Sequence, residues 1–453
     1  MTKKKIHATF CFATRRKEKH MDLHKSNMTV LAQIVKLIPA KIIDSLAKKY
    51  KIQTRAFSPT SHVVTLLYEH LAHSLSLNDV CDSLQHHSGM LNQIRRCTPP
   101  TRNGLSYANR NRNADMAEEL FWYVYNDLKE SYPKFFKSSR SYPGLPHRIK
   151  RTLFAFDSTT IQLTANSLDW AKHRRRKAAA KAHTGLNMQS FLPDVIIVKS
   201  AKDSDPKTAP ELCAGLKAGE IAVFDKAYVD FCLLNALDKR GVFWVTRKKE
   251  NMAYEVMGQQ TISSRGKITE SEHKVMGQPP KRTYNRKKIR IISDEKIKLT
   301  VTNTARFYSQ ELRLVTAEVE VKKKMTLMTF ITNNFDWSPV TVCELYRARW
   351  GIEVFFKELK QTLQLADFMG YNENAVKWQI WTGLLAYLLL RFISWEKYWK
   401  HTFNRLYTLI RSVLQNYFDL TSVTQSCDTI GRRGPRRIRG TPEQAYQMLF
   451  DFA

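Results

Sequence analysis

Near residue 151 the spacing of apolar residues changes from helical to strand-like, and this switch narrows the choice of architecture more than any other property of the sequence. Upstream, segments such as 29–51, 59–97 and 114–130 carry apolar residues at helical intervals, the first of them broken at Pro39. Downstream come short β-rich runs: TLFAFDSTTIQL, HTGLNMQ, PDVIIVKS, EIAVFD and GVFWVT. Helical stretches at 208–217 and 229–240 separate the later ones. Strands first, then β-α-β-α-β, is a mixed α/β pattern. Residues 249–331 read as a β-rich insertion among basic loops (KIRIIS, KIKLTVTN, ELRLVTAEVEV). FITNNF ends it, and a long helical pattern runs from about Pro339 to Leu365.

Two of the strands share a form. Leu153 to Phe156 leads into Asp157, and Ile221 to Phe224 leads into Asp225. Ligand sites in open α/β sheets form at the carboxyl ends of strands. If these strands are neighbours, the two carboxylates can face one another, and a divalent metal is the usual remedy for their repulsion. The plain alternative is a pair of strand-end turns, where Asp is common.

The segment CELYRARWGIEVFFKELKQTL adds a third acid. Taking Tyr346 as zero and about 100° per residue, Arg349 lies at about −60°, Glu353 at about −20° and Lys360 at about −40°. Leu345, Ile352, Phe356, Leu359 and Leu363 fall between about −80° and −140°, a stripe that can dock the helix on a sheet. Glu344 and Glu358 point elsewhere, so geometry selects Glu353 among the three glutamates. An ordinary amphipathic helix with an Arg349–Glu353 pair is the competing reading. Asp157, Asp225 and Glu353 together can hold two Mg²⁺ ions for in-line phosphoryl transfer.

Charge supplies the substrate class. Lys plus Arg total 73 and Asp plus Glu 41, a net +32, in a chain that is 43% hydrophobic and so able to build a large core. Such a protein seeks a polyanion. A membrane partner fails on length: the most apolar run, Trp378 to Leu390, has 13 residues, where a spanning helix needs about 20. The start of the chain makes a poor secretory signal. Seven scattered cysteines without a C-x-x-C pair read as reduced thiols. His62, His70, His73 and Cys81 match no zinc-finger spacing and read as surface or core side chains. Nucleic acid remains.

The run Tyr346-x₂-Arg349-x₃-Glu353-x₆-Lys360 resembles the Y-(2)-R-(3)-E-(6)-K signature of DDE transposases of the insertion-sequence-four family. FDSTTI around Asp157, DWAKHRRRKAAAKAHTGL (169–186) and VFDKAYVDF (223–231) are similar to that family's other motifs, with Lys226 and Ala227 where Arg and Gly are usual. TPPTRNGLSYANRNR is similar to part of a helical domain that precedes many of these enzymes. The resemblance covers about residues 28–400.

It implies an RNase H-like catalytic core, a mixed five-stranded sheet with helices, over 148–248 and 332–400. The insertion at 249–331 then lies between the fifth strand and the Glu353 helix. Residues 28–147 become a helical DNA-binding domain, 1–27 a basic extension and 401–453 a helical and basic tail. Asp157, Asp225 and Glu353 are implied to be metal ligands for two Mg²⁺ ions, with Mn²⁺ as a substitute. Tyr346, Arg349 and Lys360 are implied to contact terminal DNA, and we expect Lys172, Arg174, Arg175, Arg176 and Lys177 to contact its backbone. The implied activity is cut-and-paste transposition: cleavage at the element's end, a hairpin step, then attack of the 3′-OH on target DNA. Duplex DNA is the partner, with a homodimer holding two ends in a synaptic complex, in the bacterial cytoplasm and on the nucleoid. Two rivals stay open: a non-catalytic DNA-binding protein derived from a transposase, and a metal-dependent nuclease with the same core.

Overall fold

The computed structural model describes residues 23–53, 56–137, 149–163, 172–173, 177–200, 205–259, 289–300, 302–321, 324–363, 369–370 and 372–426. Eight helices come first: α1 (Val30–Lys36), α2 (Ile42–Lys49), α3 (Pro59–Ala72), α4 (Leu77–His86), α5 (Ser88–Gln93), α6 (Arg102–Asn111), α7 (Asp115–Ser131) and α8 (Pro133–Phe136). Short polar residues start many of them. Thr29, Ser58, Ser76 and Thr101 each accept a hydrogen bond from a first-turn N–H, which satisfies donors the helix cannot. Residues 98–113 are mostly polar, and only the resemblance placed them in a helical domain. They contain α6, a helix rich in Asn and Arg that is held by burial of Leu105, Ala108 and Asn109 rather than by propensity.

The β region opens with β1 (Leu153–Leu163), β2 (Lys172–His173), β3 (Lys177–Asn187) and β4 (Leu192–Ser200). Then follow α9 (Asp205–Leu212), β5 (Ile221–Phe224), α10 (Phe231–Lys239) and β6 (Phe243–Arg247). Pairing gives the order β4-β3-β1-β5-β6, with β3 antiparallel to its neighbours and β1, β5 and β6 parallel. Three antiparallel strands followed by two parallel ones beside the first is the RNase H-like arrangement. Gly185 lies opposite Phe156, and a Cβ there would meet the Phe156 ring and Val195 at 2.7 Å, so the glycine makes room for that ring.

The insertion continues the same sheet. β7 (Tyr254–Gln259), β8 (Ile289–Leu299), α11 (Thr302–Phe307), β9 (Leu312–Val321) and β10 (Lys324–Thr332) add the order β6-β10-β9-β8-β7. All of these neighbours are antiparallel. Among the described residues ten strands thus form one sheet, where the sequence suggested five plus an inserted β region. Side chains alternate across it. Leu153, Ala155, Ile221 and Val223 join one core, while Phe154, Phe156, Ala222 and Phe224 join the other with α9 and α10.

The first face is covered by α12 (Pro339–Ala348), α13 (Trp350–Lys357) and α14 (Glu373–Glu396). The apolar run Trp378–Leu390 is wholly buried inside α14, and no described helix is long and apolar enough to cross a membrane. α14 packs against α3 and α7, and α15 (Phe403–Val413) and α16 (Leu420–Gln425) complete this bundle. The early chain is stitched to the late chain: the N–H groups of Ser26, Val30 and Leu31 donate to the carbonyls of Tyr417, Asn416 and Leu414.

α3 is buried nearly all round, and several of its polar groups find partners inside. His62 bonds Asn109 at 2.8 Å, and His70 bonds the Leu363 carbonyl at 3.0 Å. Cys81 is buried in the core, and His73 ends α3 in the left-handed conformation. Glu69 accepts from Gln379 through one oxygen, and its other oxygen has no partner. Burial pushes its carboxyl up to about 7, partly offset by Gln379. Folding therefore favours the protonated form, so Glu69 weakens the fold as pH rises from the ordinary carboxylate range through about 7. Glu69→Gln is expected to raise stability at about pH 8 by on the order of 1–3 kcal/mol, and not below about pH 4.5. Thermal melts at the two pH values check this, and equal shifts at both would refute it.

Candidate active site

The sequence placed both aspartates at strand ends, but β1 runs on along β3 to Leu163, so Asp157 lies midway along β1, level with the carboxyl end of β5 and Asp225. The parallel register pairs Phe156 with Phe224, whose rings stack at 5.0 Å on one face of the sheet. The next residues, Asp157 within β1 and Asp225 just past β5, turn to the opposite face, where α12 and α13 lie. Adjacent strands are about 4.8 Å apart, so the acids stand side by side. The Asp157 carboxylate accepts from the N–H of Ser158 at 2.8 Å.

Across from them the signature helix is tightened at one point and widened at another. α12 gives way to α13 at Arg349, where the Arg349 N–H bonds Tyr346 and the Ile352 N–H bonds Arg349, three residues back rather than four. Beyond Lys357, residues Glu358–Thr362 form a π-helical turn. The uniform helix expected to run on to Leu365 is therefore two α segments and a π turn.

The tightened joint leaves the polar stripe aimed at the acids. Arg349 donates from Nη1 to Asp157 Oδ2 at 2.8 Å and from Nη2 to Glu353 Oε1 at 2.9 Å. Tyr346 Oη donates to Asp225 Oδ1 at 3.3 Å, and the Tyr346 ring packs on Phe330 at 5.0 Å. Lys360, past the π transition, donates to the Thr160 carbonyl of β1 at 2.6 Å instead of joining the acids. The structure thus gathers Asp157, Asp225, Glu353, Tyr346 and Arg349 and sets Lys360 three residues up β1. Glu344 pairs with Arg347 at 3.9 Å, and Glu358 is drawn to Arg391 and Tyr387 of α14. Arg174, Arg175 and Arg176 lie outside the described residues, as do the side chains of Lys172 and Lys177 and the segments 1–22 and 427–453.

Electrostatics marks the cluster as short of positive charge. Burial pushes Asp157 up to about 6; Arg349 and the Ser158 N–H offset it, and Asp225 and Glu353 add to it. Burial likewise raises Glu353 against the pull of Arg349. Arg349 loses solvent, yet Tyr346, Asp157, Glu353 and Asp225 together raise it above the ordinary range. Burial raises Tyr346 to about 12 and lowers Lys360.

Among the described residues no three His, Cys, Asp or Glu side chains form a ready metal cage. Arg349 occupies the position between Asp157 and Glu353 that a cation would share. The donor set nevertheless suits a hard divalent ion. All three groups offer carboxylate oxygens, Glu353 is 34% exposed and Asp157 is 21% exposed, so both can be reached.

Sequence reasoning missed two supports of this site. Arg391 sits at the end of an apolar run and lies over the rings of Phe191, Tyr387 and Phe403 at 4.7, 5.1 and 4.7 Å while holding Glu358 of the π turn. A lone arginine directly after the 13-residue, mainly apolar run Trp378–Leu390 was the available signal. Arg313 of β9 fixes the loop before α12 and had no such signal.

Residues 148–389 match the family model described as "Transposase DDE domain", which covers both aspartates and the whole signature helix. Residues 26–94 match a model described only as a domain of unknown function. The chain is 25% identical over 248 residues to the Geobacillus stearothermophilus protein named "Probable transposase for insertion sequence element IS5377", covering 54% of this chain and 58% of that one. It is 22% identical over 215 residues to the "Transposase for insertion sequence element IS231E" of Bacillus thuringiensis subsp. finitimus, covering 42% and 45%. The chain thus spans less than two thirds of the length of the curated relatives it matches. A piggyBac transposase in a synaptic complex with hairpin DNA shares 8% identity at a TM-score of 0.37, over 91% of this chain and 85% of that one. The family model spans more than half of the sequence and contains the acids that the fold places together, so this chain belongs to the Transposase DDE domain family.

Proposed function

We propose that the protein is a DNA transposase that cleaves the ends of an insertion sequence and joins them to target DNA by two-metal phosphoryl transfer, cut and paste. The observation that carries this reading is the position of Asp157 and Asp225. Asp225 stands at the carboxyl end of β5 and Asp157 beside it on the longer parallel strand β1, both facing Glu353 in a chain of this family. Asp157, Asp225 and Glu353 would hold two Mg²⁺ ions, with Mn²⁺ as a substitute; bound there, the ions supply charge to the attacking and leaving oxygens of an in-line displacement.

The other side chains serve the DNA. Arg349 neutralises Asp157 and Glu353 in the state seen here, and its planar fork fits a phosphate equally well. Lys360 and Tyr346 extend the contact on either side, and the basic run Lys172, Arg174, Arg175, Arg176 and Lys177 follows the backbone. Two copies would hold two ends.

Incubation of the full chain with Mg²⁺, a duplex carrying the element's end and a plasmid tests the reading. Cleavage at the end and a joined plasmid product are expected. Cleavage without joining would make it a nuclease, and binding without cleavage a non-catalytic DNA-binding protein.

A further inference from the structure

From Ser83 to Ala114 the chain carries five arginines and no acidic residue. Two of the five are spent inside: Arg95 donates to the Val35 and Ile38 carbonyls, and Arg112 to those of Phe57 and Ser58. Arg96, Arg102 and Arg110 are exposed and make no ion pair among the described residues. The segment ends in α6, whose buried side is Leu105, Ala108 and Asn109. Asn103, Tyr107 and Arg110 lie within about 60° of one another on the opposite side. Tyr107 is 69% exposed.

Nothing in folding asks for this face. Asn is a poorer helix former than Ala, and a large ring left in water gains little burial. The chemistry matches duplex DNA instead: Asn pairs bidentately with adenine and Arg with guanine in the major groove, which is wide enough to admit a helix. Arg96 and Arg102 at the entrance to α6 supply phosphate charge.

We propose that the outward face of α6 reads base pairs of the element's terminal duplex from the major groove, through Asn103, Tyr107 and Arg110. This rests on the transposase reading and names where its end recognition lies. α6 is also fixed in register with the acids. Asn374 at the start of α14 donates to the Asn109 and Arg112 carbonyls at 3.0 and 2.5 Å, and Trp378 donates to Arg112 at 2.7 Å. Further along α14, Tyr387 packs on Phe355 of α13 at 5.2 Å. From Asn374 to Tyr387 the helix rises about 20 Å, the length of about six base pairs.

The test uses the full chain and two duplexes of equal length, one with the terminal inverted repeat and one of random sequence. Asn103→Ala and Arg110→Ala are each expected to weaken binding to the terminal duplex tenfold or more. Asn103→Ala, which removes no charge, should leave random-duplex binding within about threefold. Lys217→Ala, an exposed lysine after α9, should not change the preference, and thermal melts confirm that each variant is folded. A selective wild type with unaltered variants, or an equal loss on both duplexes, overturns the α6 assignment and leaves the transposase reading standing. A wild type that neither prefers nor cleaves the terminal duplex overturns both.

Discussion

Asp157→Asn, Asp225→Asn and Glu353→Gln should each lower end cleavage by on the order of a thousandfold or more, while affinity for the end duplex stays within a few-fold of wild type. Each change keeps the size of the side chain and removes the anion that would bind a cation. On the proposed reading, binding to DNA rests on the basic surplus elsewhere, so the two activities should separate. Asp157→Asn carries a second signature. Its carboxyl is pushed up to about 6, chiefly by burial, so the folded state prefers it protonated. The cost to the fold is absent at low pH and present in full above about 6, where the charged form dominates. Asp157→Asn should therefore melt no lower than wild type at about pH 8 in EDTA, although it is inactive. A site built for chemistry at the expense of stability behaves this way. Full cleavage by any of the three variants would remove that residue from the site. A large drop in the melting temperature of Asp157→Asn at about pH 8 would show that its pairing with Arg349 outweighs burial.

Arg313→Ala should cost about 3–5 kcal/mol, the effect of stripping one partner from a buried ion pair. Arg313 and Asp294 are 2% and 3% exposed, and their two-pronged contact measures 2.8 and 2.7 Å. The same guanidinium donates to the carbonyls of Asn334 and Trp337, just ahead of Ser338, which caps α12. The arginine thus ties β8 and β9 of the insertion to the start of the helix that carries Tyr346. Lowered stability and lowered cleavage are expected together, with the larger loss in turnover rather than in DNA affinity. Arg313→Met combined with Asp294→Leu leaves no charge unpaired and should recover much of the stability. A melting temperature for Arg313→Ala within about 2 °C of wild type would sink this account.

Local pattern revealed the parts of this protein and not their joins. The strand segments leading into Asp157 and Asp225 were legible because four apolar residues precede each acid, and the polar stripe of the Glu353 helix because helical geometry repeats; that β1 runs on past Asp157 was not. That β1 and β5 are parallel neighbours depends on contacts 68 residues apart, which no window reveals. The insertion read as β-rich because its strands alternate. Its union with β6 rests on three paired residues of β10, Phe330 to Thr332, inside a segment that looked like its end. α6 escaped because Asn, Gly and Arg dilute the apolar signal to Leu105 and Ala108. The stripe predicted Arg349 beside Glu353, but the reach of its other arm to Asp157 needed the sheet in place.

The pairing of residues 24–31 with 414–422 also bears on synthesis. His24 bonds Ser422, Asp419 bonds His24, and the Gln33 amide spans Phe418 and Leu420. α1 emerges from the ribosome early, with five buried side chains and part of its covering roughly 385 residues away. Loop closure over such a separation is entropically dear and slow. The amino-terminal helices must therefore wait, incompletely covered, until residue 420 has left the exit tunnel. Translation that stalls between α14 and α16 would yield a chain with all three acids and an unfinished bundle, a natural substrate for chaperones and proteases.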